Sequence, residues 1–186
     1  MEERIINLNV RKNEEVACDF GFMEEKIKEV LKNGGNIAIF GAVGSGKTTV
    51  LKGLIKRTNE VGIVRNVYLH RHFEINFSES DEMNLVKIEK SGEKPEKTMK
   101  LLKIFAVERV FTEKENNDFD KKIISGCADQ GVPICFDMYA KNIEMYKKMI
   151  EEARIKNIDL IIQVERTENG RKYTFFDEKL EQIKHQ

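Results

Sequence analysis

Eight residues carry the most specific chemistry in this chain. Gly41-Ala42-Val43-Gly44-Ser45-Gly46-Lys47-Thr48 follows the pattern Gly, four residues, Gly-Lys-Ser/Thr. In that pattern the backbone N–H groups of a glycine-rich turn surround phosphate oxygens, and the lysine ammonium neutralises the outer ones. The chemistry requires a buried strand to deliver the loop and a helix to start at its end, because a helix N-terminus offers unpaired N–H groups and a positive dipole end. Both are legible: Asn36-Ile37-Ala38-Ile39-Phe40 is a short apolar run of buried-strand type, and Thr49 to Arg57 has apolar residues at helical spacing. A second polar cluster, His70-Arg71-His72-Phe73-Glu74, follows the strand-like Asn66-Val67-Tyr68-Leu69. Strand C-termini of open α/β sheets face the ligand crevice, so this cluster is expected near the phosphates. Its two histidines could hold a metal, but no third ligand is evident, and a polar strand end is the simpler reading.

The remaining elements follow from period and punctuation. Met23, Ile27, Val30 and Leu31 define an amphipathic helix to Lys32, stopped by Asn33-Gly34-Gly35. Glu74 to Phe77 and Asn84 to Ile88 alternate and read as an antiparallel pair at the sheet margin. The run Thr98 to Val107 fits a buried helix or a strand, and Arg109 to Thr112 reads as a short strand ending at Glu113. Asp118 is the expected cap of a helix to about Ala128. Ile134 to Met138 is a strand, Ile143 to Arg154 a helix, and Ile158 to Val164 the clearest strand of the second half. Asn169-Gly170 is a hairpin turn, so Arg171 to Phe176 returns antiparallel. Ile5, Ile6, Leu8 and Val10 suggest one edge strand in an N-terminal segment, residues 1–20, ahead of a single domain at 21–186.

Composition narrows the setting. With 186 residues one domain is expected, and Lys+Arg and Asp+Glu balance at 32 each, so no nucleic-acid partner is indicated. Cys18, Cys127 and Cys135 form no short pair and are an odd number, which favours reduced thiols in a cytoplasmic protein. No run approaches the ~18 apolar residues of a membrane span, and Met1-Glu2-Glu3 does not open a signal peptide.

Past the phosphate loop, the order of features resembles the ATPase domain of the type II/type IV secretion and pilus motor family, over roughly Phe22 to Tyr173. Val43-Gly44-Ser45-Gly46-Lys47-Thr48-Thr49 matches that family's Thr-Gly-Ser-Gly-Lys-Thr-Thr core except at Val43. The family's acidic box, Glu-Asp, two residues, Glu, falls on His70 to Glu74, which keeps only Glu74. Gln130-Gly131-Val132-Pro133 stands at its Thr-Gly-His motif and Asp137-Met138-Tyr139-Ala140 at its Thr-x-His-Ala box, so both histidines are missing. Counting back from Gly131 favours Glu113 over Glu108 as the Walker B carboxylate and makes Thr98 to Val107 the helix before that strand. The late hairpin, with Arg166 and Asn169-Gly170-Arg171, is similar to the family's closing strand pair.

The resemblance implies an α/β, RecA-like P-loop NTPase: a mainly parallel sheet flanked by helices, with an antiparallel C-terminal hairpin. It implies ATP held by Gly41, Ala42, Val43, Gly44, Ser45, Gly46, Lys47, Thr48 and Thr49, Mg²⁺ on the Thr48 hydroxyl, and Glu113 and Glu74 as catalytic carboxylates. It further implies a ring, a hexamer, with peripheral docking to a membrane secretion machine. Replacing the Glu-Asp pair by His-Arg reverses local charge, which favours anion binding and removes carboxylates that help place Mg²⁺ and water. Binding is therefore expected ahead of efficient hydrolysis. Two other readings stand beside this one. The first is a non-catalytic nucleotide-binding partner of a complete ATPase. The second is a P-loop small-molecule kinase, for which Arg154, Arg166 and Arg171 are too scattered to form a lid.

Overall fold

The computed structural model describes residues 18–70, 84–90, 94–114, 117–168 and 170–184. The expected edge strand at Ile5 to Val10, the segment Glu74 to Phe77, and Arg71, His72 and Glu74 lie outside the described residues.

Alternation of apolar side chains builds a three-layer α/β/α unit. The strands are β1 (Ile37–Gly41), β2 (Asn66–His70), β3 (Leu85–Glu89), β4 (Arg109–Lys114), β5 (Ile134–Tyr139), β6 (Leu160–Thr167) and β7 (Gly170–Phe176). They form one seven-stranded sheet in the order β3-β2-β4-β5-β1-β6-β7. All neighbours pair in parallel except β6 and β7, which form the expected hairpin. On one face, Ile37, Ile39, Tyr68, Phe111, Cys135, Leu160 and Ile162 pack against α1 (Glu24–Lys32) and α2 (Lys47–Glu60). On the other, Ala38, Phe40, Val67, Val110 and Phe136 meet α3 (Pro95–Ile104), α4 (Asp118–Asp129) and α5 (Ile143–Ala153). Successive residues of a strand point to opposite faces, so one run of buried residues serves both layers.

One expectation changes and one open alternative closes. The 84–88 segment joins the sheet as β3, parallel to β2 with Asn66 opposite Leu85, and its expected antiparallel partner, Glu74 to Phe77, lies outside the described residues. The α4 cap is Asn117, whose side-chain oxygen accepts from Asp120 N–H at 2.8 Å; Asp118 is already helical. The 98–107 run is helix as far as Ile104, started by Pro95 at its first turn, where the missing N–H costs nothing.

Two arginines tie elements together, one fully buried and one partly buried. Arg109 on β4 is fully buried, and its Nη1 and Nη2 donate to Gly35 O and Leu31 O, each at 2.8 Å. Leu31 lies in the last turn of α1 and Gly35 just beyond it, at the helix end where the dipole favours a cation. Arg57 of α2 grips Glu24 of α1 with Nε and Nη2 at 2.9 and 3.0 Å and donates to Cys18 O at 2.7 Å. Among the described residues no helix is long and apolar enough to cross a membrane.

Candidate functional site

β1 ends at Gly41, and the loop that follows turns back into α2. A Cβ at Gly41 would lie 2.3 Å from Val164 O and 2.5 Å from Ser45 Oγ, so only glycine fits the close approach of loop to β6. Gly44 and Gly46 have φ of 74° and 102°, conformations that bend the loop into a nest of N–H groups. Gly46 is the N-cap of α2 and supplies no side chain, and no acidic residue stands in the first turn. The helix therefore starts without the usual oxygen cap, its first N–H groups facing the loop. Lys47 Nζ donates to Ala42 O at 2.9 Å and so folds back over the loop. Burial pushes the Lys47 ammonium below its ordinary value, and the Asp137 charge opposes that shift. Thr48 and Thr49 are half-buried in the first turn, whereas Ala42, Val43 and Gly44 are exposed at the loop tip.

The hairpin supplies residues that read as scattered in sequence. Arg166 and Arg171 stand directly opposite each other across β6 and β7. By alternation they share the face of Val164 and Phe175, the face on which α2 packs. Arg171 lies against the phosphate loop: a Cβ at Gly46 would meet its Nε at 2.1 Å. Both arginines line a cleft of about 660 Å³ with Gly44, Asp19 and Tyr173, a volume within the range of small-molecule sites. Among the described residues neither arginine is ion-paired. The sequence did not reveal the pair, because Asn169-Gly170 as the two central residues of a hairpin turn would set Glu168 opposite Arg171, whereas Gly170 already pairs with Thr167 and so sets Arg166 opposite Arg171.

Beyond the loop, two carboxylates occupy the same face at the strand ends. Glu113 on β4 is in register with Asp137 on β5, and Asp137 with Ile39 on β1. Glu113 Oε1 accepts from the Tyr68 hydroxyl of β2 at 2.5 Å, and its carbonyl accepts from Lys90 Nζ. Asp137 is 6% exposed and was passed over by sequence reasoning, although a lone Asp inside Ile-Cys-Phe-Asp-Met is an available signal. Tyr139 closes β5 opposite Gly41. Glu108, the other candidate for the strand carboxylate, lies before β4, at the sheet end opposite the loop, where it accepts from Val64 and Arg65 N–H at 3.0 Å. That bonding, Val64 first, holds its carboxyl below the usual range.

His70 ends β2 buried, its ring 5.6 Å from Tyr68, and burial pushes its pKa down. Among the described residues no three His, Cys, Asp or Glu side chains are grouped to hold a metal. A hydrated Mg²⁺ needs fewer protein ligands than that, since it keeps several waters and leans on substrate phosphates. Thr48, in the first turn of α2, offers a hydroxyl oxygen of the kind such an ion takes.

No family model and no curated protein matches this chain in sequence. Solved structures do match in fold. The VirB11 ATPase of the Brucella suis type IV secretion system, in complex with sulphate, superposes with a TM-score of 0.67 at 14% identity, covering 83% of this chain and 52% of that one. The Legionella pneumophila ATPase DotB gives 0.64 at 15% identity, covering 82% and 48%. The pilus retraction motor PilT with bound ADP gives 0.64 at 14%, covering 83% and 50%. The chain thus has the RecA-like fold of the secretion and pilus motor ATPases, as its motif order suggested. It spans about half the length of these structures.

Proposed function

We propose that this chain binds ATP or ADP through Gly41 to Thr49, with the phosphates at the start of α2 and the nucleoside towards the cleft beside Arg166, Arg171 and Tyr173. One observation carries the reading: an uncapped helix N-terminus at Gly46, Lys47 folded onto Ala42 O and Arg171 against Gly46 all meet at the phosphate loop. Two cations at the positive end of a helix dipole repel it and each other, and an anion between them reverses the sign of every one of those interactions. A phosphate chain is the anion that the loop's shape accommodates. Mg²⁺ accompanying the nucleotide would take the Thr48 hydroxyl and neutralise phosphate charge.

The finer reading is a divergent secretion- or pilus-type motor ATPase acting in the cytoplasm, in a ring with copies of itself or beside a related ATPase subunit. Its turnover is slow, since the Glu113 carboxylate is engaged by Tyr68 and histidines are absent where the resemblance expects them. Arginines close to the loop also suit a small-molecule kinase. Phosphate release without an acceptor separates the ATPase from that alternative, and binding with neither reaction marks a non-catalytic partner of another ATPase.

The test is thermal melting with ATP or ADP and Mg²⁺. Nucleotide at about 100 times its Kd adds roughly 2.7 kcal/mol of stability. At about 2–4 °C per kcal/mol for a chain this size, that is a rise of about 5–11 °C. Lys47→Ala abolishes the rise. No rise in the wild-type chain at millimolar nucleotide refutes nucleotide binding.

A further inference from the structure

We propose that the cleft between the hairpin and the phosphate loop holds a second phosphate group, bound between Arg166 and Arg171 and separate from the phosphates on the loop. The inference rests on the nucleotide reading above and names the class of ligand it favours: a phosphate monoester at the nucleoside end, carried on the nucleotide's own sugar or on a separate small molecule.

The placement follows from the hairpin register. Arg166 and Arg171 stand opposite each other on β6 and β7, so their Cα atoms are about 4.5–5.5 Å apart. Thr167 Oγ1 donates to Gly170 O at 3.3 Å, which ties the two strands together beside them. Arg171 lies against the loop at Gly46, and Gly44 at the loop tip lines the same cleft, so the cleft opens directly beside the phosphate site. Both arginines are exposed, and a ligand reaches them without repacking the core.

Charge argues for an anion there. The loop has its own cation, Lys47, and the N–H groups at the start of α2. Arg171 adds to that set at Gly46, and Arg166 is a further positive charge outside it. Two carboxylates, Asp19 and Glu168, line the cleft as well, yet among the described residues neither forms an ion pair with the arginines. Asp19 Oδ1 instead accepts from Gly21 N–H at 2.8 Å. Facing guanidinium groups repel, and an anion between them turns the repulsion into two attractions. Each guanidinium is a planar fork that matches the paired oxygens of a phosphate, a fit that an uncharged sugar or base does not offer.

The experiment measures calorimetric affinities in excess Mg²⁺ for ADP, for ADP carrying an added 3′- or 2′-phosphate, and for inorganic phosphate titrated into the ADP-saturated chain. Each is repeated with Arg166→Gln and with Lys172→Gln, a control that removes a positive charge from the opposite face of β7. Hydrogen bonds to charged groups are worth about tenfold or more in affinity, so a sugar phosphate that reaches the arginines should tighten binding by about that factor. That result puts the second phosphate on the nucleotide, whereas uptake of inorganic phosphate by the ADP complex puts it on a separate molecule; either supports the proposal. Arg166→Gln should remove the gain and Lys172→Gln should keep it. No gain from either sugar phosphate together with no uptake of inorganic phosphate overturns the proposal. So does a gain retained in Arg166→Gln or lost equally in Lys172→Gln. In those cases binding of ADP alone leaves the nucleotide reading standing. If the wild-type chain binds none of these ligands, both fall.

Discussion

Lys90 and Asp120 form a fully buried ion pair, and removing one partner should be far more damaging than removing both. Lys90 Nζ lies 2.9 Å from Asp120 Oδ1, with side-chain exposures of 2% and 1%, and the same ammonium donates to Glu113 O. Coulomb attraction at that distance is about 6 kcal/mol for an effective dielectric near 20. Much of it is offset by the desolvation of two ions, so the pair's net contribution is small. Lys90→Met, however, leaves a carboxylate buried without its ammonium and the Glu113 carbonyl without this donor. The expected loss is about 3–5 kcal/mol, or a Tm lower by about 6–20 °C at 2–4 °C per kcal/mol. Asp120→Leu should cost a similar amount. The double variant should return to within about 2 kcal/mol of the wild-type chain, giving a coupling energy of about 3 kcal/mol or more. Urea unfolding followed by circular dichroism measures all four corners of the cycle. Single substitutions that cost less than about 1 kcal/mol, or a double variant that costs the sum of the two, would refute the reasoning.

Two further outcomes follow from burial. Cys18, Cys127 and Cys135 are each at most 3% exposed, and burial raises all three thiols, Cys127 to about 12. The folded chain should react slowly with a thiol reagent at mildly alkaline pH and the unfolded chain at all three positions; a fast thiol in the native protein contradicts this. The His70 pKa lies below the usual 6.5, so between the two values the unfolded chain binds a proton that the folded chain does not. Stability therefore falls as pH drops through that window and is unaffected by His70 above it. Urea midpoints between about pH 5 and 7 should slope downward on acidification, and His70→Phe should flatten that slope.

Much of the fold was legible because its signals are local. The loop between Phe40 and Thr49 announces its own strand and helix, and Asn169-Gly170 signals the hairpin, although Gly170 already pairs with Thr167. The parallel pairing of β3 with β2 was not legible, since alternating residues mark a strand at the sheet margin without naming its neighbour. At the site, residues contiguous in sequence were found and residues contiguous only in space were missed. Arg171 is 125 positions from Gly46 (171 − 46), and nothing near either predicts that they touch. Tyr68 read as an ordinary strand aromatic, and only the β2–β4 pairing delivers its hydroxyl to Glu113. Glu108 and Glu113 were separable by spacing alone, and the sheet places them at its opposite ends, one bonded to loop amides and the other to Tyr68.

The arginines of the hairpin show how the core imposes a charge arrangement that local electrostatics opposes. Like charges directly opposite on paired strands are unfavourable by roughly 0.2–1 kcal/mol, and a cation at a helix N-terminus adds roughly 0.3–1 kcal/mol. Arg166 and Arg171 incur the first and Arg171 the second. Slipping β7 by one residue would relieve both, yet it would also turn Phe175 out of the α2-side core and Phe176 out of the opposite one. Burial of a phenylalanine side chain is worth about 1.5–3 kcal/mol, so the two aromatic residues outweigh the repulsion and hold the register. The apolar alternation of β6 and β7 thus fixes two guanidinium groups on the face that meets the phosphate loop. Sheet register is the link through which residues 160–176, far along the chain, take part in the chemistry of residues 41–48.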